Sequence, residues 1–309
     1  MIDNLATHCF IEFFYRKGNK IMNEHNSTLS IKQLNESYGL FDGCHEIAKE
    51  IYDNIKNKEF YDGNARMVSI PIKNEWIDTI DVLIYSDNDT SFAASYNPSS
   101  KLIHTTNGIQ FCPLKLSVNM NADNIIVYLM HELTHAYEDY NRRTKKQASI
   151  TDKALSNGYF INKNLGAFDD DRKYLSYLLY YLTDFEVNAY LSQIKAELIS
   201  CNKSFVNIPQ LVEYLKNTKA YLTYSVIEEF VDYFSNISDK DYQNQIMKWI
   251  SQLSFLKFKS YKHFVKYIQK RFFTLKRKID VFVPKIAYEY MDVGNRLNNH
   301  NGNLPKIEK

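Results

Sequence analysis

The chain has 309 residues, 45% hydrophobic and 24% charged, and its 38 basic and 36 acidic side chains leave a formal net charge of +2. That size suits one large or two small domains with a substantial core, and the near-neutral balance excludes an obligatory polyanion partner. Cys9, Cys44, Cys112 and Cys201 are widely spaced without a C-x-x-C pair, so they read as reduced core thiols and not as a disulfide framework or a cysteine metal site.

Met1-Ile2-Asp3-Asn4 opens without a basic region and long apolar run, and no apolar stretch approaches bilayer length. The expectation is a soluble, cytoplasmic chain with no membrane partner. Its abundance of Lys, Asn, Ile and Tyr is the association of an AT-rich coding genome, bacterial or phage, and leaves packaging in a phage particle open. Residues 1–65 read as an N-terminal helical and extended segment, in which Ile47, Ile51 and Ile55 give helical periodicity between Ile31 and Asn57.

Strand patterns follow. Ile77 to Tyr85 is β-rich and partly alternating, and Ser86-Asp87-Asn88-Asp89 reads as a turn. Phe92–Tyr96 and Leu102–Thr106 flank Asn97-Pro98-Ser99-Ser100 and predict a hairpin, in which His104 is an exposed strand residue. Phe111 to Val118 adds another strand, with Pro113 marking an edge or an interruption.

The next helix carries the chemistry. Asn121 or Asp123 can cap its start, and Ile125, Ile126, Leu129, Met130, Leu133, Ala136 and Tyr137 cover more than half its circumference. Asn124, His131, Glu132, Thr134, His135, Glu138 and Asp139 fill the remaining sector, the pattern of a helix that lines a cleft. Within that strip stands His131-Glu132-Leu133-Thr134-His135, an H-E-x-x-H sequence. Residues four apart share a helical face, so both imidazoles can grip one metal ion while Glu132 flanks it. Catalytic zinc usually keeps three protein ligands and one open position, beside which a carboxylate can accept a proton.

A third ligand is offered further on. From Asp169-Asp170-Asp171 a long helix reads through Arg172 to about Leu198. Its apolar stripe holds Leu175, Leu179, Leu182, Ala189 and Tyr190, with Glu186 in the middle and Asp184 and Asn188 projecting toward solvent. A lone carboxylate on a core-facing strip is costly unless a cation or several donors meet it. Glu138, one turn beyond His135, is a competing ligand.

On these residues the chain resembles a zincin metallopeptidase of the gluzincin type over roughly residues 66–200, in which a later helix donates a glutamate to the metal. The resemblance implies Zn2+ held by His131, His135 and Glu186, with Glu132 as the general base, and strands whose edge pairs with an extended peptide substrate, Phe92–Tyr96 being the candidate edge. It departs from the family at Tyr190, where many gluzincins carry Asp, so the group that orients the first histidine is unassigned and Tyr190 becomes a candidate for orienting or oxyanion stabilisation.

The remainder reads as helices at Ile208–Lys216, Tyr221–Phe234, Tyr242–Leu253 and Tyr261–Val293, with Pro209 in a first turn and Pro284 expected to kink or end the last. No acid lies between Asp241 and Asp280, where Lys257, Lys259, Lys262, Lys266, Lys270, Arg271, Lys276, Arg277 and Lys278 interleave with Phe258, Tyr261, Phe264, Phe272 and Phe273. Nucleic acid or another polyanion could dock there, but the helical spacing of the aromatics fits better a solvated basic face neutralised by acids such as Glu228 and Glu229.

The expected class is therefore α+β. It comprises the N-terminal segment 1–65, a zincin-like unit of small mixed sheet and active-site helix at 66–205, a mostly α-helical C-terminal domain at 206–296 and a flexible tail at 297–309. The expected function is zinc-dependent hydrolysis of a protein or peptide substrate. The alternative is a catalytically silent zincin-fold binding or assembly protein that engages a polyanion or protein partner through its basic helices.

Overall fold

The computed structural model describes residues 31–58, 65–72, 74–88, 93–106, 108–144, 171–201, 203–253 and 256–301. Contacts gather the chain into two units, 1–37 and 38–309. The described part of the first is the helical start of α1 (Ile31–Ile55). Cys9, Phe92, Asp169, Asp170 and the tail beyond Asn301 lie outside the described residues.

In the larger unit, α1 buries Cys44, Ile47, Ala48, Ile51 and Ile55, the row that its 3.6-residue period places on one side. Six strands follow: β1 (Arg66–Pro71), β2 (Thr79–Tyr85), β3 (Ala94–Tyr96), β4 (Leu102–Thr105), β5 (Gly108–Phe111) and β6 (Leu114–Asn119). Four of them form a mixed sheet in the order β1-β2-β6-β3. There β2 and β6 run parallel, and β1 and β3 flank them antiparallel. Ile80, Val82, Ile84, Leu114, Leu116 and Val118 alternate into the core from the two central strands.

The expected hairpin between Phe92–Tyr96 and Leu102–Thr106 does not form. Its turn is real, with Asn97 Oδ1 accepting from the Ser99 amide at 2.9 Å and the Asn97 carbonyl from the Ser100 amide at 3.1 Å. The flanking strands choose other partners, β3 joining β6 and β4 joining β5 across a turn at Gly108. Gly108 has φ +117°, a conformation that a side chain would strain. The expected strand Phe111–Val118 is two strands, interrupted at Cys112-Pro113, because β5 and β6 belong to different sheets. Cys44 is a core thiol as expected, whereas Cys112 and Cys201 are only partly buried; all three are unbridged.

Helix α2 (Ile125–Thr144) follows β6 through a turn in which Asn124 takes φ 56°. Asparagine tolerates that left-handed conformation, so Asn124 and not a cap at Asn121 or Asp123 sets the start. Beyond it lie α3 (Asp171–Tyr181), α4 (Asp184–Ile199), α5 (Ile208–Lys216), α6 (Lys219–Ser235), α7 (Lys240–Ser251) and α8 (Tyr261–Asn301). The N-caps of α5, α6 and α7 are Asn207, Thr218 and Asp239. The last four helices stand where periodicity placed them, and Pro209 occupies the first turn of α5. Pro284 does not end α8. The lost backbone bond is offset by Phe282, Val283, Ile286 and Ala287, all buried on either side of it. The described architecture is thus α+β, a small mixed sheet with a mostly helical remainder, and no described helix is long and apolar enough to cross a membrane.

The single helix expected over 172–198 is two, separated at Leu182-Thr183. Thr183 is the N-cap of α4, with φ −74° and ψ 143°, and its hydroxyl oxygen accepts from the Glu186 amide at 3.4 Å. The carbonyl freed at Leu182 is taken by Arg271 of α8, whose Nε and terminal nitrogen donate at 3.1 and 2.9 Å. A side-chain cap and a guanidinium together satisfy the break that the continuous apolar stripe concealed.

Candidate metal centre

The site lies where α2 crosses α4. Leu129, Met130, Leu133 and Ala136 of α2 are fully buried, and each of the larger side chains contributes about 1.5–3 kcal/mol by leaving water. Small buried residues let the two helices approach: Ala189 and Ser192 on α4 face Thr134, whose hydroxyl donates to Ser192 Oγ at 2.9 Å. Such packing fixes the rotation of α2 and hence the direction of its histidines.

His131 and His135 stand one turn apart with their Nε2 atoms 3.0 Å from each other. Glu186 enters from α4, its Oε2 lying 3.5 Å from His131 Nε2 and its Oε1 3.4 Å from His135 Nε2. An ion about 2.1 Å from three ligands at tetrahedral angles separates them by about 3.4 Å, close to these spacings. The Glu186 side chain is 1% exposed, so its charge is met by the imidazoles and not by water. Burial alone would raise its carboxyl, but the charge and hydrogen bonds of His135 and His131 outweigh this and hold it well below the usual carboxylate range. His131 is the mirror case: burial pushes it down, while Glu186, Glu132 and Gln193 pull it above the ordinary imidazole value. Buried Glu186 Oε1, 3.4 Å from His135 Nε2, has no donor aligned on it for a well-formed hydrogen bond. A cation among the three side chains would use that Glu186 lone pair, so the donor set fits a divalent metal.

Glu186 is at the third position of α4, where the helix N-terminus favours negative charge. Thr183-x-x-Glu186 has the form of a capping box, but only half of it closes. Thr183 accepts from the Glu186 amide, while the Glu186 carboxylate turns to the histidines.

Glu132 stands beside the pair, and an oxygen of its carboxylate together with the ring nitrogens of His131 and His135 forms a cluster spanning at most 4.8 Å. Its Oε2 accepts a hydrogen bond from the Tyr96 amide at 2.7 Å. In the antiparallel β3–β6 pair, the Asn97 amide donates to Lys115 and the Ala93 carbonyl accepts from Asn119. The alternation of such ladders turns the backbone groups of Ala94 and Tyr96 to the free edge, toward α2.

The same tyrosine anchors its strand at the other end. Tyr96 Oη donates to Asp139 Oδ2 at 2.5 Å, and Arg143 reaches the same oxygen at 3.3 Å. Arg142 pairs with the second oxygen of Asp139. Asp139 is fully buried, so these donors carry its whole stabilisation. Asp139 sits four residues past His135, a spacing visible in the sequence without any hint of its partner on β3.

Other expected residues fall elsewhere. The Glu138 carboxylate accepts from Asn188 Nδ2 at 2.5 Å, which corrects the expectation that Asn188 points to solvent. The cluster of His131, Glu132 and His135 includes neither Glu138 nor Glu186, but of the two acids it is Glu186 whose oxygens lie 3.4 and 3.5 Å from the imidazoles. His104 is exposed on β4. Tyr190 packs its ring edgewise on His131, centroids 5.3 Å apart, and the buried Gln193 one turn further adds to the pull that Glu186 and Glu132 exert on that imidazole. Tyr180, at the end of α3, was hidden among many tyrosines. Burial, then the charge and hydrogen bond of Glu186, then Glu132 push its phenol well above the ordinary value, so it remains a donor.

No protein-family model, curated protein or solved structure matches the chain.

Proposed function

We propose that the chain is a zinc-dependent metallopeptidase of the gluzincin type that hydrolyses peptide bonds in a protein or peptide substrate. His131, His135 and Glu186 hold the ion, and two imidazoles with one carboxylate are a donor set that suits zinc. The observation that carries this reading is three ligand side chains meeting at one point, the two histidine Nε2 atoms 3.0 Å apart and the two Glu186 oxygens 3.4 and 3.5 Å from them, with the Glu132 carboxylate beside them. When bound, the ion supplies Lewis-acid polarisation of a carbonyl and a water acidic enough to lose its proton near neutrality.

The protein's own groups do the rest. Glu132 takes up the proton of the attacking water and delivers it to the departing amine. The Tyr96 amide fixes one oxygen of that carboxylate and leaves the other for proton transfer. Tyr180, kept protonated beside Glu186, is the phenol that would turn to donate to the oxyanion formed on the scissile carbonyl. The ring of Tyr190, packed edgewise on His131, restrains the plane of that imidazole where many gluzincins use an aspartate.

The test is metal content and turnover of the purified chain beside Glu132→Gln. Both should bind one zinc per chain, and only the first should cleave a denatured protein or a mixed peptide library. A variant that cleaves as fast as the parent, or a parent without zinc, overturns the assignment. A zinc-loaded parent that cleaves nothing leaves the reading of a silent binding protein.

A further inference from the structure

We propose that the outer face of the first half of α8 docks a single-stranded nucleic acid, its lysines on the phosphates and Phe273 stacked on a base. Lys262, Lys266 and Lys270 follow one another at four-residue spacing along this face, and Lys257 and Lys259 lead into it. At 1.5 Å per residue the helical three span about 12 Å, a row of cations that several consecutive phosphates of one strand can meet. All five lysines are exposed, and none forms an ion pair among the described residues. Their neighbours differ. Lys276 lies 3.2 Å from Glu228, and Arg271 turns inward to Leu182. The stripe ends at Asp280, the first acid since Asp241.

Phe273 lies on the same face and is 67% exposed, whereas the adjacent Phe272 is 8% exposed and Phe264 is buried. An exposed phenyl among unpaired lysines matches what a strand with accessible bases offers, alternating charge and flat π surface. A lipid surface fits less well. The apolar face of α8, with Phe264, Ile268, Phe272, Leu275 and Ile279, is already packed inside the protein, and Phe273 is the one large apolar ring that the described residues leave exposed beside these lysines. An acidic peptide would match the charge but offers Phe273 no base to stack on, and a duplex keeps its bases paired.

The test is fluorescence anisotropy of the full chain with a labelled 20-nucleotide oligothymidine at increasing salt. Neutralising three to five phosphates predicts a log–log salt slope of about −2 to −3.5, at about 0.7 per single-strand contact. The variant K262E/K266E/K270E should bind at least about 30-fold more weakly at low salt, and K262Q/K266Q/K270Q should flatten the slope by about 2. F273A should lose about 10-fold with the slope unchanged, separating stacking from charge. The proposal fails if the parent does not bind at low salt, or if the glutamine variant binds with the parent's affinity and slope. It also fails if duplex DNA, poly-glutamate or vesicles of phosphatidylserine compete more strongly than unlabelled oligothymidine.

Discussion

The α2–α4 crossing and the outer face of α8 are both rich in charge, yet one takes it out of water and the other leaves it there. At the crossing Glu186 is 1% exposed, and on the β3 side of α2 Asp139 is 0% exposed; each is met by cationic or hydrogen-bonding partners on more than one side. Along α8, Lys262, Lys266 and Lys270 have no partner among the described residues. Buried charges are expensive unless matched, so their geometry is dictated by the fold. Exposed lysines cost folding almost nothing, and their alignment calls for a reason outside the fold.

Substitutions should separate the two regions by their effect. The largest loss of stability is expected for Asp139→Ala, about 3–5 kcal/mol in urea unfolding, because Arg142 stays buried without its carboxylate and Tyr96 loses its acceptor. Glu186→Ala should weaken zinc binding by more than about 100-fold in competition with a chelating dye. Unchanged affinity there would move the third ligand to Glu138. Tyr180→Phe should lower kcat by about 100-fold with zinc affinity preserved. A fall in affinity instead would make Tyr180 a positioning residue for Glu186. Thr183→Ala removes the cap of α4 and should cost about 1 kcal/mol. Lys266→Met should leave stability within about 0.5 kcal/mol, and a larger change would show that the α8 lysines serve the fold after all.

What could be read from the sequence followed the range of the interaction. His131 and His135 were legible because one helical turn brings them together with no help from the rest of the chain. Glu186 was legible as an acid on an apolar stripe, and the small Ala189 beside it as a place for close packing. The break at Thr183 was written in the sequence as Thr-x-x-Glu, but the unbroken stripe from Leu175 to Tyr190 outweighed it. Asn97 to Ser100 announced a turn correctly, although turn chemistry does not say which strands pair beyond it. The Tyr96 amide on Glu132 left no trace, since it joins residues 36 apart through a backbone group that every residue but proline carries.

Arg271 belongs to the basic run of α8 by sequence but to the metal centre's scaffold by contact, because it grips the carbonyl that precedes the cap of α4. Under the proposed reading, ion capture at one end and restraint of α8 at the other would therefore draw on a common reserve of order. Whatever stiffens the long helix would lessen the freedom still to be lost at the histidines, and by reciprocity a loaded site would return the same increment.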